Sequence, residues 1–304
     1  MFSSHFLIAV FSIPLMVIIR WISISIPYAK TGFFCDDDEI RHPLKDDTIK
    51  GHLMFGIFSI LSLITLCLTE ISLIKHLSKK NKRVYRIPGR LLSPFFENFL
   101  YLFACLILGD LATSALTNVG KRTMSRPRPN FLDACKPDLN ISCPSGSHIF
   151  VEDYICYGKN DPDEYFSFPS GHSSHSVYFG IMMIVYLQKR CKIIPPFRAI
   201  LQLFFAMLVF FICASRVRDF KHRLSDVAGG AFVGSIVAFF FLSQVINFFN
   251  DAKYETTDQD REYSSLDDEN LLPQIVITAI DETPPERKGF ATPTSEYGSV
   301  VVSD

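Results

Sequence analysis

The chain has 304 residues, of which 48% are hydrophobic and 29 are phenylalanine, and its formal charge is −1. That composition excludes a wholly water-soluble globule and describes a membrane protein with a polar end. The near-neutral total conceals charges that are segregated along the chain.

Apolar runs long enough to cross a bilayer, which takes ~20 residues, recur at about 6–28, 53–74, 95–119, 173–187, 197–214 and 227–249. They predict an all-α integral membrane domain of six spans over 1–250. The fourth and fifth runs are short and are expected to extend into polar flanks such as 170–176. The first holds Pro14 and Arg20. It is too long for a signal peptide, and it lacks a charged start and a small-residue cleavage site. An even number of spans puts both termini on one side. The second connection carries Lys75, Lys79, Lys80, Lys82, Arg83, Arg86 and Arg90 without an acid, and the fourth carries Lys189, Arg190, Lys192 and Arg198 likewise. The bias of basic residues toward the cytosol puts these loops and both termini there. The first, third and fifth connections then face outward or into a lumen.

The first outer connection contains Asp36-Asp37-Asp38-Glu39. It lacks the glycine and distal glutamate of an EF-hand, so a solvated loop is expected rather than a calcium site. Within the third span Asp110 is expected to be a buried partner of an arginine or lysine in another span, with no catalytic role. The third outer connection opens with Lys121, Arg122, Arg126 and Arg128, held in shape by Pro127 and Pro129. Such a cluster suits phosphate, or anchorage to lipid headgroups; it is too short and too close to the membrane edge for nucleic acid. Asn140-Ile141-Ser142 is an N-glycosylation acceptor. Cys135, Cys143 and Cys156, with Cys35 on the same side, suit an oxidising compartment and a disulfide of unspecified pairing. Cys67, Cys105 and Cys213 are expected to pack within spans, and Cys191 to have no special task.

This connection ends in Pro169-Ser170-Gly171-His172 immediately before the fourth span. Proline, serine and glycine ahead of an apolar helix describe an N-terminus whose free N–H groups and dipole attract anions, although an ordinary cap has the same letters. His172 would stand at the edge of that site, placed to give a proton to a leaving group.

The fifth connection, Ser215-Arg216-Val217-Arg218-Asp219-Phe220-Lys221-His222-Arg223-Leu224-Ser225-Asp226, packs cations, carboxylates and an imidazole between two apolar runs. If a helix starts at His222, then His222 and Asp226 share a face. The carboxylate can take one imidazole proton, leaving the other nitrogen free to attack. Arg216 is a planar fork suited to phosphate oxygens. Snorkelling of these cations to headgroups is the plain alternative. From about residue 251 to 304 the chain is acidic and rich in Ser, Thr and Pro, a cytosolic tail expected to be disordered, with a dileucine-type pattern ending at Leu271-Leu272.

Three motifs stand in order: Lys121 to Arg128-Pro129, then Pro169-Ser170-Gly171-His172, then Ser215-Arg216 to His222 to Asp226. Together they resemble the signature of the type-2 phosphatidate phosphatase superfamily. Thr31-Gly32-Phe33-Phe34-Cys35 further resembles its lipid phosphate phosphatases. The resemblance implies that His222 attacks phosphorus, Asp226 orients it and His172 protonates the leaving alkoxide. It implies that Lys121, Arg128, Arg216, Ser170 and Gly171 hold the phosphate, with no metal or other cofactor. Arg126 has no implied role. The expected substrates are phosphatidate, lysophosphatidate, ceramide 1-phosphate and sphingoid-base phosphates, met at the extracytoplasmic helix ends, at the plasma membrane or in the lumen of internal membranes. Self-association is left open. Rival readings are a silent lipid-binding relative, a transporter and another phosphatase of the same superfamily.

Overall fold

A computed structural model describes residues 4–79, 94–137, 148–158 and 161–244 of the chain. Asn140, Cys143 and the basic residues of the second connection beyond Lys79 lie outside the described residues. The chain divides into two units, Met1–Phe249 and Asn250–Asp304, and the second, which holds the acidic tail, also lies outside them.

Long helices occupy the six apolar runs: α1 (Ser4–Ser25), α2 (Gly51–Lys79), α3 (Pro94–Met124), α5 (Gly171–Arg190), α6 (Pro195–Arg218) and α7 (Leu224–Gln244). A helix satisfies all its backbone groups internally, which lipid demands of a spanning segment. Within α2, α3, α6 and α7 lie segments long and apolar enough to cross a membrane. The apolar part of α1 is the shorter stretch Val10–Ser25. Helix α5 is different in kind: Ser173, Ser174, His175 and Ser176 are all buried, so its polar face is spent on neighbouring helices. The outward faces of α6 and α7 carry Phe210, Phe232 and Phe239, each more than 60% exposed, as lipid contact requires.

Helix α1 packs along α3, where Arg20 Nε donates to Ser114 Oγ at 2.9 Å. Helix α5 lies against α2, α3 and α6. Asp110 of α3 is only partly buried, and it pairs not with the expected arginine or lysine but with His175 of α5, at 2.6 Å. At the far end of the bundle, buried Glu70 of α2 receives Arg190 through both carboxylate oxygens (2.9 Å each) and Tyr186 (2.9 Å) of α5. These polar ties fix helix register where apolar packing alone would not, since lipid is as apolar as a leucine side chain.

At the near end the connections build a second small core. Strand β1 (Phe33–Phe34) pairs antiparallel with β2 (Phe150–Val151), Phe33 opposite Val151. Phe33, Tyr154 and Tyr165 surround Phe131 of the short helix α4 (Phe131–Cys135), which is fully buried. A Cys135–Cys156 disulfide joins α4 to the residues after β2. Cys35 is disulfide-bonded too. Cys105 and Cys191 are free and buried, and Cys67 and Cys213 free and partly buried. In the first outer connection Asp36, Asp38 and Glu39 are exposed, as expected of a solvated loop, while the same connection also contributes a strand and core residues.

Candidate active site

Helix α6 ends in a left-handed cap. Phe220 takes φ 55, Lys221 N–H donates to the Arg216 carbonyl (3.1 Å) and Phe220 N–H to that of Val217 (3.1 Å), the paired bonds of a Schellman turn. Glycine is usual at such a position, and a β-carbon there costs about 1–2 kcal/mol. Here the aromatic ring compensates: His42 stacks on it at 4.4 Å and Lys45 lies over it at 4.3 Å. This turn leaves Arg216 on the last turn of α6 and swings His222 beneath the outer connections.

Helix α7 starts at Leu224, so His222 precedes it and the expected shared helical face with Asp226 does not form. Asp226 sits in the first turn and reaches back: its Oδ2 accepts from Arg223 N–H at 2.8 Å, half of a capping box. The same oxygen accepts from Ser167 Oγ (2.6 Å) and Oδ1 from Arg126 Nη1 (2.9 Å). Asp226 is wholly buried. His222 is 3% exposed, and its Nδ1 lies 2.7 Å from the Ser167 carbonyl. A carbonyl only accepts, so Nδ1 bears the proton and Nε2 keeps its lone pair.

Lys121 stands in the last turn of α3. The chain then turns through Ser125 (φ 43) and runs beside 164–167, with Ser167 N–H donating to Arg126 O (3.0 Å) and Arg128 N–H to Glu164 O (2.9 Å). Arg128 forks onto Asp163 through Nε to its carbonyl (2.8 Å) and Nη2 to its carboxylate (2.6 Å). Ser170 is the buried N-cap of α5; its hydroxyl makes no cap bond, and its N–H donates to Asp226 O at 2.9 Å. Lys121 Nζ would lie 3.7 Å from a β-carbon placed on Gly171, so the amine faces the helix N-terminus. Helix α7 can come this close to α5 because Gly230 and Gly234 lack β-carbons, which would meet the carbonyls of Ser170 and Ser174 at 2.3 and 2.2 Å.

His172 Nε2 donates to the Ile49 carbonyl at 3.1 Å. Buried Arg216 is held by Asp219 through Nη2 and by Asp47 through Nη1, both at 2.8 Å. Charge interactions link the group: His222 with Arg128, Lys121 and His172, and His172 with Arg216, Asp47 and Lys121. Burial, then the charges of Arg128 and Lys121, hold the His222 imidazole well below the ordinary histidine value, against the upward pull of the Ser167 carbonyl. A neutral imidazole with a free nitrogen beside the cations Arg128 and Lys121 can attack an anionic phosphate. Beside His222 a cavity of ≈ 340 Å³ opens between Glu39, Arg126, Arg223 and Leu224. Glu39 lies 3.9 Å from Arg126 and 2.6 Å from Arg223, the latter an ion pair without hydrogen-bond geometry.

The structure thus brings together His222, His172, Asp226, Lys121, Arg128, Ser170, Gly171 and Arg216. Sequence reasoning left out Ser167, Asp163, Asp219 and the segment 47–49, and assigned nothing to Arg126. Of these only Asp219 and Arg126 carried a signal, as charged residues inside the two basic clusters.

The PAP2 superfamily profile matches residues 98–249. Phospholipid phosphatase 1 of Mus musculus is 34% identical over 225 residues, 72% of this chain and 76% of that protein. Phospholipid phosphatase 2 of Mus musculus is 31% identical over 251 residues, covering 80% and 84%. The Bos taurus phospholipid phosphatase 2 is 31% identical over 235 residues, covering 74% and 76%. No solved structure matches the chain significantly. With its three motifs gathered at one end of a helical bundle, this chain belongs to the PAP2 superfamily.

Proposed function

We propose that the chain is a lipid phosphate phosphatase that hydrolyses phosphatidate, lysophosphatidate, ceramide 1-phosphate and sphingosine 1-phosphate through a phosphohistidine on His222. The observation that carries this reading is the neutral, buried His222, its Nδ1–H given to the Ser167 carbonyl and its Nε2 left free beside the charges of Arg128 and Lys121. The names of the relatives support the substrate class.

In the first step His222 Nε2 forms a bond to phosphorus and the ester P–O bond breaks. The departing alkoxide takes a proton from His172, which enters the step as an imidazolium: burial and the Arg216 charge hold it down to about 4 in the free site, and the negative charge of the bound phosphate raises it. The lysine and arginines bear the charge that spreads over the equatorial oxygens. In the second step water attacks the phosphohistidine and gives its proton to His172. Inorganic phosphate leaves and His222 is restored. Three fixed cations supply the charge stabilisation that metal ions supply elsewhere, so the reaction proceeds with a chelator present. The site opens at the extracytoplasmic ends of six spans, with both termini cytosolic, as the basic second and fourth connections require.

The test is phosphate release from phosphatidate in detergent micelles containing a chelator, for the unaltered chain and for His222→Ala. Release that survives chelation and vanishes with the substitution is expected. A well-folded unaltered chain that releases nothing from any of the four lipids would make the site a binding site and sink the enzymatic reading.

A further inference from the structure

Arg216 is 1% exposed, yet its guanidinium is shared by two carboxylates of unlike character. Asp219 is its i+3 neighbour, with a side chain 5% exposed. Besides Arg216, it accepts from Thr48 N–H at 2.7 Å through Oδ2 and from Thr48 Oγ1 at 2.7 Å through Oδ1. Asp47 comes from the first outer connection, and its side chain is 36% exposed. The next two residues of that connection also reach the site: Thr48 at Asp219, and Ile49 at His172. None of Lys121, Arg128 and Arg216 lines the cavity beside His222.

A buried guanidinium needs an anion to offset its desolvation, and one that must also meet a phosphate needs its fork aimed in advance. Asp219 satisfies both needs, because three donors fix its two oxygens and so fix the Nη2 edge of Arg216. Asp47 is held by one arginine contact at a half-open position. A phosphate that meets Arg216 brings negative charge to the Nη1 edge that this carboxylate occupies.

We infer that Asp219 is the positioning residue for the phosphate-binding fork of Arg216, clamped from the first outer connection by Thr48, and that Asp47 is a placeholder which the substrate phosphate displaces. The inference rests on the proposed function for the identity of the anion. It makes the two carboxylates opposite in effect. Losing Asp219 weakens phosphate binding, whereas losing the Asp47 charge does not weaken it and removes a competitor.

The experiment measures how much inorganic phosphate half-protects the full chain against thermal unfolding in detergent, for the unaltered protein, Asp219→Asn, Asp47→Asn, Arg216→Ala and the Asp219→Asn/Arg216→Ala pair. Asp219→Asn should raise the half-protecting concentration by about 10-fold, the lower end of what outer-shell partners carry in metal sites. It should add less than about 2-fold on top of Arg216→Ala, because its effect passes through that residue. Asp47→Asn should leave the concentration unchanged or lower it. Equal losses from Asp219→Asn with and without Arg216, or weaker phosphate binding in Asp47→Asn, would overturn the inference. If Asp219→Asn does not fold, Thr48→Val removes one donor from the clamp and leaves every charge in place. It should weaken phosphate about 3-fold, a lost hydrogen bond of modest worth, and no change would overturn the inference. Lipid hydrolysis abolished by His222→Ala keeps the phosphatase reading whatever Asp219 does. Absent phosphate protection in an unaltered chain that still hydrolyses lipid sinks the inference alone.

Discussion

The Nδ1 atom of His222 lies 2.7 Å from the carbonyl oxygen of Ser167, and this contact with the main chain sets the imidazole's tautomer and direction. Asp226 acts one step away. It grips the hydroxyl of that same Ser167 and the N–H of Arg223, the residue that follows His222. Orientation of the proposed nucleophile is therefore delegated to backbone, with the carboxylate fixing the two backbone segments that hold it.

From this arrangement Asp226→Asn should lower kcat/KM by about 100-fold, within the range that misoriented catalytic groups show. An amide cannot accept from Arg126, Ser167 and Arg223 at once. Ser167→Ala keeps the carbonyl and loses only the hydroxyl anchor, so it should cost about 10-fold or less. Steady-state kinetics on micellar phosphatidate checks both. Ser167→Ala as damaging as Asp226→Asn would mean that the hydroxyl carries more than anchorage.

Arg126 and Arg128 stand two residues apart and do different work. Arg128 faces Asp163 and interacts with His222 and Lys121, whereas Arg126 neutralises buried Asp226 at 2.9 Å. Arg128→Ala should abolish phosphate release with little change in thermal midpoint. Arg126→Ala leaves a buried carboxylate without its counter-charge, which should cost about 2 kcal/mol of stability, discounted because the arginine is one-third exposed. Comparing midpoint and activity for the two variants separates the roles, and an active Arg128→Ala would reverse the assignment.

Gly230→Ala should damage activity although Gly230 belongs to none of the three motifs. Its new methyl group would meet the Ser170 carbonyl at 2.3 Å and Ser173 Cβ at 3.1 Å. Backbone cannot yield as a flexible side chain can, so the start of α5 must shift, carrying Ser170, Gly171 and His172 with it. Kinetics of Gly230→Ala beside Ala231→Gly, a helix substitution worth about 1 kcal/mol with no such clash, tests this. Equal activities would show that the contact tolerates a side chain.

What was legible in the chain were side chains of distinctive chemistry at short spacing: Lys121 and Arg128, Ser170 to His172, Arg216 to His222 to Asp226. The six apolar runs located the helices for the same reason, since solvent forces their character residue by residue. What was illegible came from backbone and from distance. The Ser167 carbonyl has no signature in any sequence, and it meets His222 across 55 residues. Thr48 meets Asp219 across 171, and no local pattern links an acidic outer loop to a helix end so far along. The expected helical pairing of His222 with Asp226 missed for a local reason. The left-handed turn at Phe220 delays the start of α7 until Leu224.

The depressed His222 imidazole has a consequence for stability as pH changes. Burial and the charges of Arg128 and Lys121 hold it below the ordinary histidine value of 6.5. Between its folded value and 6.5 the unfolded chain binds a proton that the folded chain refuses. Folding stability therefore rises with pH through that window, is fully present above it, and is lost as pH falls below about 6.5, at no more than about 1.4 kcal/mol per pH unit. Enzyme activity is a poor reporter here, because a phosphomonoester's own second ionisation falls near pH 6. Thermal midpoints without substrate avoid that overlap. The unaltered protein should lose midpoint relative to His222→Asn between pH 7 and pH 5, since asparagine takes no proton. Parallel midpoint curves for the two proteins would show that His222 is protonated as readily in the folded chain as in the unfolded one, and would overturn the claim that burial and the charges of Arg128 and Lys121 hold its imidazole below the ordinary value.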